Sequence, residues 1–366
     1  MINRRTLLGC GLGAIITGPL RASSQDDKFE DAARILEQAS ASGQVRGAVL
    51  YVRNGQTVFT RSFGDARSVD VAFLLGSISK PIVITALMTL FEKGLFGLDD
   101  LVKKHLPEFD GMSRERVTIK HLLTHTSGLP DQLPENARLR QSHAPLNDFV
   151  HGTFRVPLGF EPGTRYEYSS MGIMLAAEIA QRLSGIEIKQ FVDQAVLKPL
   201  GMNYSALGMG SFQSEQVMPC QVEYSAIESG GGAPGSQLWD WNSKYWRELG
   251  APWGGLQASA PDVARFLDSF LSPSGKIFKP EVAKLMIQNH NPPGIESRGL
   301  GFNYGMVENC VNCSDQTFGH TGSTGTIAWA DPERDRVCVV LTTLPVRALT
   351  PHPRQFVSNS ISTIPS

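Results

Sequence analysis

The 366-residue chain has no excess of either charge: 34 Lys and Arg stand against 35 Asp and Glu, and no long run of one sign occurs. The basic footprint of a nucleic-acid-binding surface is missing, so no nucleic-acid partner is expected. Cysteine is scarce, with five in the chain. Cys310 and Cys313 have C-x-x-C spacing, but no second such pair completes a four-cysteine metal site. A local disulfide or two loop thiols is the simpler expectation, and Cys220 and Cys338 carry no spacing signal. Long apolar runs are confined to the N-terminus, where Arg4 and Arg5 precede Leu7, Leu8 and a Gly-containing stretch to Leu20, followed by Arg21-Ala22-Ser23-Ser24. This pattern predicts a twin-arginine-like export signal over residues 1–24. The stretch is too short for a membrane-spanning helix and is broken by Gly18-Pro19. Leu7-Leu8-Gly9-Cys10 has too short an apolar lead-in for lipoprotein anchoring at Cys10. The expectation is an exported protein, periplasmic or extracellular, with no stable membrane insertion once the signal is removed.

With 41% hydrophobic and 19% charged side chains, the remainder is long enough to bury a large core. Phe29, Ala32, Ala33 and Leu36 recur at helical spacing. Gly47 to Arg53 and Thr57 to Phe63 read as strands joined by Asn54-Gly55, a residue pair suited to a type I′ turn. An apolar run from Val71 to Leu75 leads into Gly76-Ser77-Ile78-Ser79-Lys80-Pro81, then a helix whose face is marked by Ile82, Val83, Ala86, Leu87, Leu90 and Phe91 and which should stop at Gly94. Proline is tolerated in that first turn, where its missing N–H has no partner. Residues 95 to 290 are mostly helical in pattern, as at Ile119–Thr124, Ile173–Leu183 and Pro261–Leu271. Ser229 to Gly255 reads as a long loop containing Trp239, Trp241, Trp246 and Trp253. Thr324–Ala330 and Val337–Thr343 are two further strands joined by a turn at Asp331 to Asp335. Strands at both ends with helices between them predict an α+β fold in which the chain termini share one antiparallel sheet. The expected division is a single domain over 25–366, its sheet part about 25–94 and 295–366 and its helical part about 95–294.

Ser77 and Lys80 sit three apart at a predicted helix start, so their side chains lie on one face. A serine hydroxyl needs a base to become a nucleophile, and a lysine buried at a helix N-terminus, where its charge is disfavoured, can be that base. Tyr168, in Tyr166-Glu167-Tyr168-Ser169-Ser170, falls at a loop-to-helix junction where a phenol can shuttle protons. Phe318-Gly319-His320-Thr321-Gly322-Ser323 opens the C-terminal strand pair, and its glycines would let a ligand approach the strand closely. His121 and His125 are four apart, but the Glu of an H-E-x-x-H zinc site is absent. No metal is assigned.

Taken together and in this order, Ser77-x-x-Lys80, Tyr168-Ser169-Ser170 and His320-Thr321-Gly322 resemble the three active-site motifs of the serine β-lactamase-related family. That family includes class C β-lactamases, D-alanyl-D-alanine peptidases and related family VIII-type esterases. Ile119-Lys120-His121-Leu122-Leu123-Thr124-His125-Thr126-Ser127-Gly128-Leu129-Pro130 resembles the family's most recognisable segment, and Pro199 to Met202 and Gly254 to Asp262 are similar to further family segments. The resemblance implies a β-lactamase/transpeptidase-like fold, with 25–366 as the catalytic domain. It also implies that Ser77 is the acylated nucleophile, Lys80 its base and Tyr168 the proton shuttle that also activates the deacylating water. Ser170, His320, Thr321, Gly322 and Ser323 would contact substrate, the N–H groups of Ser77 and Ser323 forming an oxyanion hole. No cofactor is implied, and His121 and His125 become scaffold.

Two departures from the family pattern bear on substrate. Ser170 stands where many relatives carry Asn, and a hydroxyl offers fewer hydrogen bonds than an amide. His320 stands where the β-lactamases and peptidases usually carry Lys, and a mostly neutral imidazole holds an anion less well. Both favour an ester-like substrate over a β-lactam or a D-Ala-D-Ala terminus. The expected activity is hydrolysis of small carboxylic esters, with lactamase or D-Ala-D-Ala carboxypeptidase action on a lactam or peptide as the same-family alternative. A non-catalytic binding module of the same fold is the alternative of another class. The tryptophans would form either an apolar wall of the cleft or a self-packed loop.

Overall fold

The computed structural model describes residues 25–305 and 310–365. The N-terminal signal expectation lies outside the described residues. The chain begins with helix α1 (Gln25–Ala41) and enters strands β1 (Gly47–Asn54) and β2 (Thr57–Gly64). Asn54 pairs with Thr57, so the two turn residues are Gly55 and Gln56 rather than Asn54 and Gly55. Of these only Gly55 has positive φ, at 55°. A type I′ turn needs positive φ at both positions, so the hairpin follows the II′ pattern, with glycine first. The strand register decides the turn.

The helix predicted after Gly76 is α2 (Ser79–Glu92), preceded by a 3₁₀ turn at Gly76–Ile78 that carries Ser77. Every residue of α2 from Ser79 to Leu90 is buried, which makes it a central core helix rather than an amphipathic surface one. It packs against α3 (Ser170–Ser184). The helical region also contains α4 (Ala260–Leu271). The Trp-rich stretch is not wholly a loop: Lys244–Leu249 is helical, started by the Ser243 hydroxyl accepting the Trp246 N–H at 3.1 Å.

The apolar run before Ser77 contributes strand β3 (Phe73–Leu74) to a small second sheet with β4 (Ser205–Leu207) and β5 (Leu256–Ala258), in the order β3-β5-β4. The main sheet adds β6 (Asn303–Tyr304), β7 (Phe318–Gly322), β8 (Thr326–Asp331) and β9 (Arg336–Thr342), and α5 (Pro353–Thr363) closes the chain. Its order is β2-β1-β9-β8-β7-β6, antiparallel throughout. β1 pairs with β9 from Ala48–Thr342 to Asn54–Arg336, which joins the two chain ends as expected.

The alternation of strand side chains sorts the core into two layers. Ala48, Leu50, Val52, Cys338 and Val340 pack with Phe29 and Leu36 of α1 and Val357 and Ile361 of α5. Val49, Val337, Val339 and Leu341 face the opposite layer, which holds α2, α3 and α4. Cys310 and Cys313 form a disulfide, while Cys220 and Cys338 are buried free thiols. Among the described residues, no helix is long and apolar enough to cross a membrane.

Candidate active site

The turn bearing Ser77 is pinned from two sides. The Leu75 N–H donates to the Leu256 carbonyl at 2.9 Å, and the Ser79 hydroxyl accepts the Leu256 N–H at 3.0 Å. From the main sheet, the hydroxyls of Thr324 and Thr326 donate to the carbonyls of Leu74 and Leu75 at 2.8 and 2.7 Å. These bonds hold the β7–β8 turn against Gly76. A Cβ at Gly76 (φ 57°) would lie 3.2 Å from the Ser323 nitrogen, and one at Gly322 would collide with the Leu75 carbonyl. The glycines of this motif therefore serve the approach of backbone to backbone. Gly319 likewise makes room for β8 at Trp329, not for a ligand.

Lys80 is fully buried, and its Nζ donates to Ser77 Oγ at 2.9 Å and to the Trp253 carbonyl at 2.8 Å. Burial, opposed by Asp131 and assisted by Arg298, brings its pKa down to about 7. Its Nζ also lies 4.9 Å from the centre of the Tyr168 ring. Tyr168 hydrogen-bonds Ser77, yet desolvation holds its phenol well above the usual tyrosine range. It is a protonated phenol at neutral pH.

His125 supports that phenol. Its ring lies 4.6 Å from the Tyr168 ring, and its Nδ1 accepts the Ser169 N–H at 3.1 Å. The His125 backbone is left-handed, with φ 60°. Burial, then Arg298, pushes its pKa well below the ordinary histidine value. His121 is used differently, its Nδ1 accepting the Thr118 N–H at the start of the Ile119–Leu123 helix. The His121 ring is thus held by its own segment, and the His125 ring ties that segment to the backbone beside Tyr168.

Ser170 begins α3, and both its N–H and its hydroxyl donate to Asp131 Oδ1, at 3.1 and 2.5 Å. Asp131 follows the recognisable Ile119–Pro130 segment directly, but no spacing marked it. His320 lies inside β7, paired with Ala328 of β8, one residue beyond the end of the β6 pairing at Gly319. Its Nδ1 donates to the Thr321 carbonyl at 2.8 Å, and Arg298 Nη2 lies 3.5 Å from its Nε2. Burial and Arg298 drive its pKa well below the usual value. Arg298 was missed by the sequence reasoning, since it belongs to no local motif. It is 2% exposed, bonds Asn303 through Nη1, and lies near the rings of Tyr166 and Tyr168.

All eight sequence-predicted residues converge. Ser77, Tyr168, His320, Thr321, Gly322 and Ser323 line an open cleft of about 1030 Å³ together with Arg298. A narrow recess of about 150 Å³ leaves the same serine on another side, lined by Ser170, Asp131, Trp241, Trp246 and Trp253. Lys80 lies buried beneath the serine. Trp241, Trp246 and Trp253 thus form a wall of the recess, whereas Trp239 is buried outside its lining.

Residues 32–354 match the Beta-lactamase family model. The chain is 31% identical to Esterase EstB of Burkholderia gladioli, over 84% of each chain. It is 34% identical to Penicillin-binding protein 4* of Bacillus subtilis, over 46% of this chain and 39% of that one. Among solved structures, EstCE1, a hydrolase with promiscuous acyltransferase activity, superposes with a TM-score of 0.74 at 20% identity, covering 92% of this chain and 99% of the other. The chain belongs to the β-lactamase family and is a serine hydrolase with the β-lactamase/transpeptidase-like fold.

Proposed function

We propose that the protein is exported and hydrolyses small carboxylic esters through an acyl-enzyme on Ser77. The observation that carries the reading is the 2.9 Å contact between Ser77 Oγ and the fully buried Lys80 Nζ, whose pKa of about 7 leaves much of the amine neutral at physiological pH. A neutral amine at hydrogen-bond distance is the base that a serine nucleophile requires. Ser77 Oγ attacks the ester carbonyl carbon while its proton passes to Lys80. The carbonyl electron pair moves to oxygen, which the N–H groups of Ser77 and Ser323 stabilise by a few kcal/mol. Collapse breaks the bond to the alcohol oxygen, which takes a proton from the Tyr168 phenol, refilled from the Lys80 ammonium. Water then repeats the sequence on the acyl carbon and releases the acid. Because Tyr168 is a phenol rather than a phenolate, it relays protons and Lys80 is the base.

Esterase EstB among the relatives supports the ester reading. The Cys310–Cys313 disulfide supports export, since disulfides persist in oxidising compartments. A second reading, action on a lactam or peptide carrying a carboxylate, is favoured by Arg298, which supplies the cleft with the cation that His320 does not. Intact-protein mass spectrometry of wild type and Ser77→Ala, with a phosphonate ester and separately with a penicillin, tests both. A phosphonate adduct in wild type alone is expected. Labelling by penicillin as well would move the assignment to the second reading, and no adduct with either would remove the enzymatic one.

A further inference from the structure

Beside Ser77, the narrow recess holds a buried charge that, among the described residues, has no ion-pair contact, with Glu228 acting on it only at longer range. Arg140 is 2% exposed and its guanidinium lies 3.7 Å from the centre of the Trp246 ring. Among the described residues, its Nε and Nη1 have no hydrogen-bond partner. Two further orphans, Gln132 Oε1 and Trp246 Nε1, belong to residues lining the same recess. A native protein leaves few buried polar atoms unpaired, and a buried charge is costly without a partner. Four such atoms on three residues around one recess indicate a partner that arrives from solution. Asp131 has its Oδ1 taken by the N–H and hydroxyl of Ser170, and among the described residues no hydrogen bond joins it to the Arg140 Nε or Nη1.

We propose that this recess is the acyl-group subsite and that Arg140 selects a short acyl chain ending in a carboxylate. The inference rests on the reading that Ser77 is acylated. Three of the four atoms are donors, two guanidinium nitrogens and an indole N–H, and these match carboxylate oxygens and not an alkyl terminus, while Gln132 Oε1 is an acceptor that a carboxylate does not pair and that is left to water. Trp241 and Trp253 supply apolar surface for the methylenes between that carboxylate and the carbonyl. The recess suits the acyl side because the acyl group stays covalently attached to Ser77. The leaving alcohol, by contrast, needs the open cleft of about 1030 Å³ to depart.

Reversible boronic acids, which bond to serine Oγ and place their side chain where the acyl group sits, test this without turnover. The affinities of n-butylboronic acid and 3-carboxypropylboronic acid are measured by calorimetry on wild type, Arg140→Met and Arg140→Lys, with a fluorophosphonate label on Ser77 as a parallel readout. Wild type should bind the carboxylate compound more tightly by about tenfold. In Arg140→Met the ratio should fall to about one or below, and Arg140→Lys should retain part of it. A purely structural role for Arg140 would shift both affinities together and leave the ratio unchanged, which would overturn the proposal. Equal binding of the two compounds by wild type overturns it without any variant. If Ser77 takes the label while the preference is absent, the subsite alone fails. If Ser77 takes no label and neither boronate binds, the acyl-enzyme reading fails and the subsite with it.

Discussion

Arg298 Nη2 stands 3.5 Å from His320 Nε2, on the opposite side of the imidazole from the Nδ1 that donates to the Thr321 carbonyl. The tautomer is thereby set, with Nε2 the free lone pair facing a cation. His320 is thus a neutral acceptor, and the positive charge of this wall belongs to Arg298. The reasoning that a histidine at this position weakens anion binding holds for the imidazole, but the tertiary structure brings a guanidinium in from 22 residues away.

Arg298→Gln should raise KM more for a substrate whose leaving group carries a carboxylate than for its uncharged analogue, by about tenfold. Steady-state kinetics on the matched pair reads this. Equal changes in both would mean that Arg298 only holds Asn303 and His320 in place.

The kcat/KM for a neutral ester should fall tenfold per pH unit below an apparent pKa of about 7. The base form is deprotonated Lys80, so lowering the pH removes it. His320 and His125 are held well below their ordinary values and stay neutral across this limb. A profile that is level from about pH 5.5 to 8 would remove Lys80 as the base.

Ser77→Ala should abolish turnover, a loss of at least about 10³-fold. Tyr168→Phe should slow kcat by about 10²-fold or more yet leave the acid limb where it is, since the phenol is not the group that titrates there. Displacement of the limb in Tyr168→Phe would exchange the roles of Tyr168 and Lys80.

Trp241→Ala should change the preference for acyl-chain length among p-nitrophenyl esters, while Trp239→Ala should leave it alone. Only the former ring lines the recess. The same preference profile in both variants would reduce the aromatic wall to packing.

Gly322→Ala should lower the melting temperature and cut activity together. A Cβ there meets the Leu75 carbonyl, and overpacking of this kind costs about 1–3 kcal/mol. Thermal unfolding and a single ester assay suffice, and unchanged values for both would show that the β7–β8 turn does not position the Ser77 turn.

Much of the site is local in the chain and so visible before folding. Ser77 and Lys80 meet because they stand three apart at a helix start, and the N-terminal and C-terminal strands were legible because each is a short run of β-branched and apolar residues, as strands buried on both faces are. The turn at Gly55 and the helix at Lys244–Leu249 were misread for a shared reason. Strand register and a serine cap at Ser243 decided them, and both are weaker than the hydrophobic pattern around them.

The residue types and their order in the chain were enough to expect the fold class, and the resemblance of three motifs to one family pointed to Ser77, Lys80 and Tyr168, while the three-residue spacing of Ser77 and Lys80 put both on one face by covalent geometry. Only the packed structure decided that full burial brings the Lys80 pKa down to about 7, that Ser170 is committed to Asp131, and that Arg298 and Arg140 come to lie beside Ser77. Desolvation and long-range contact depend on which segments the core brings together, and no local pattern records that.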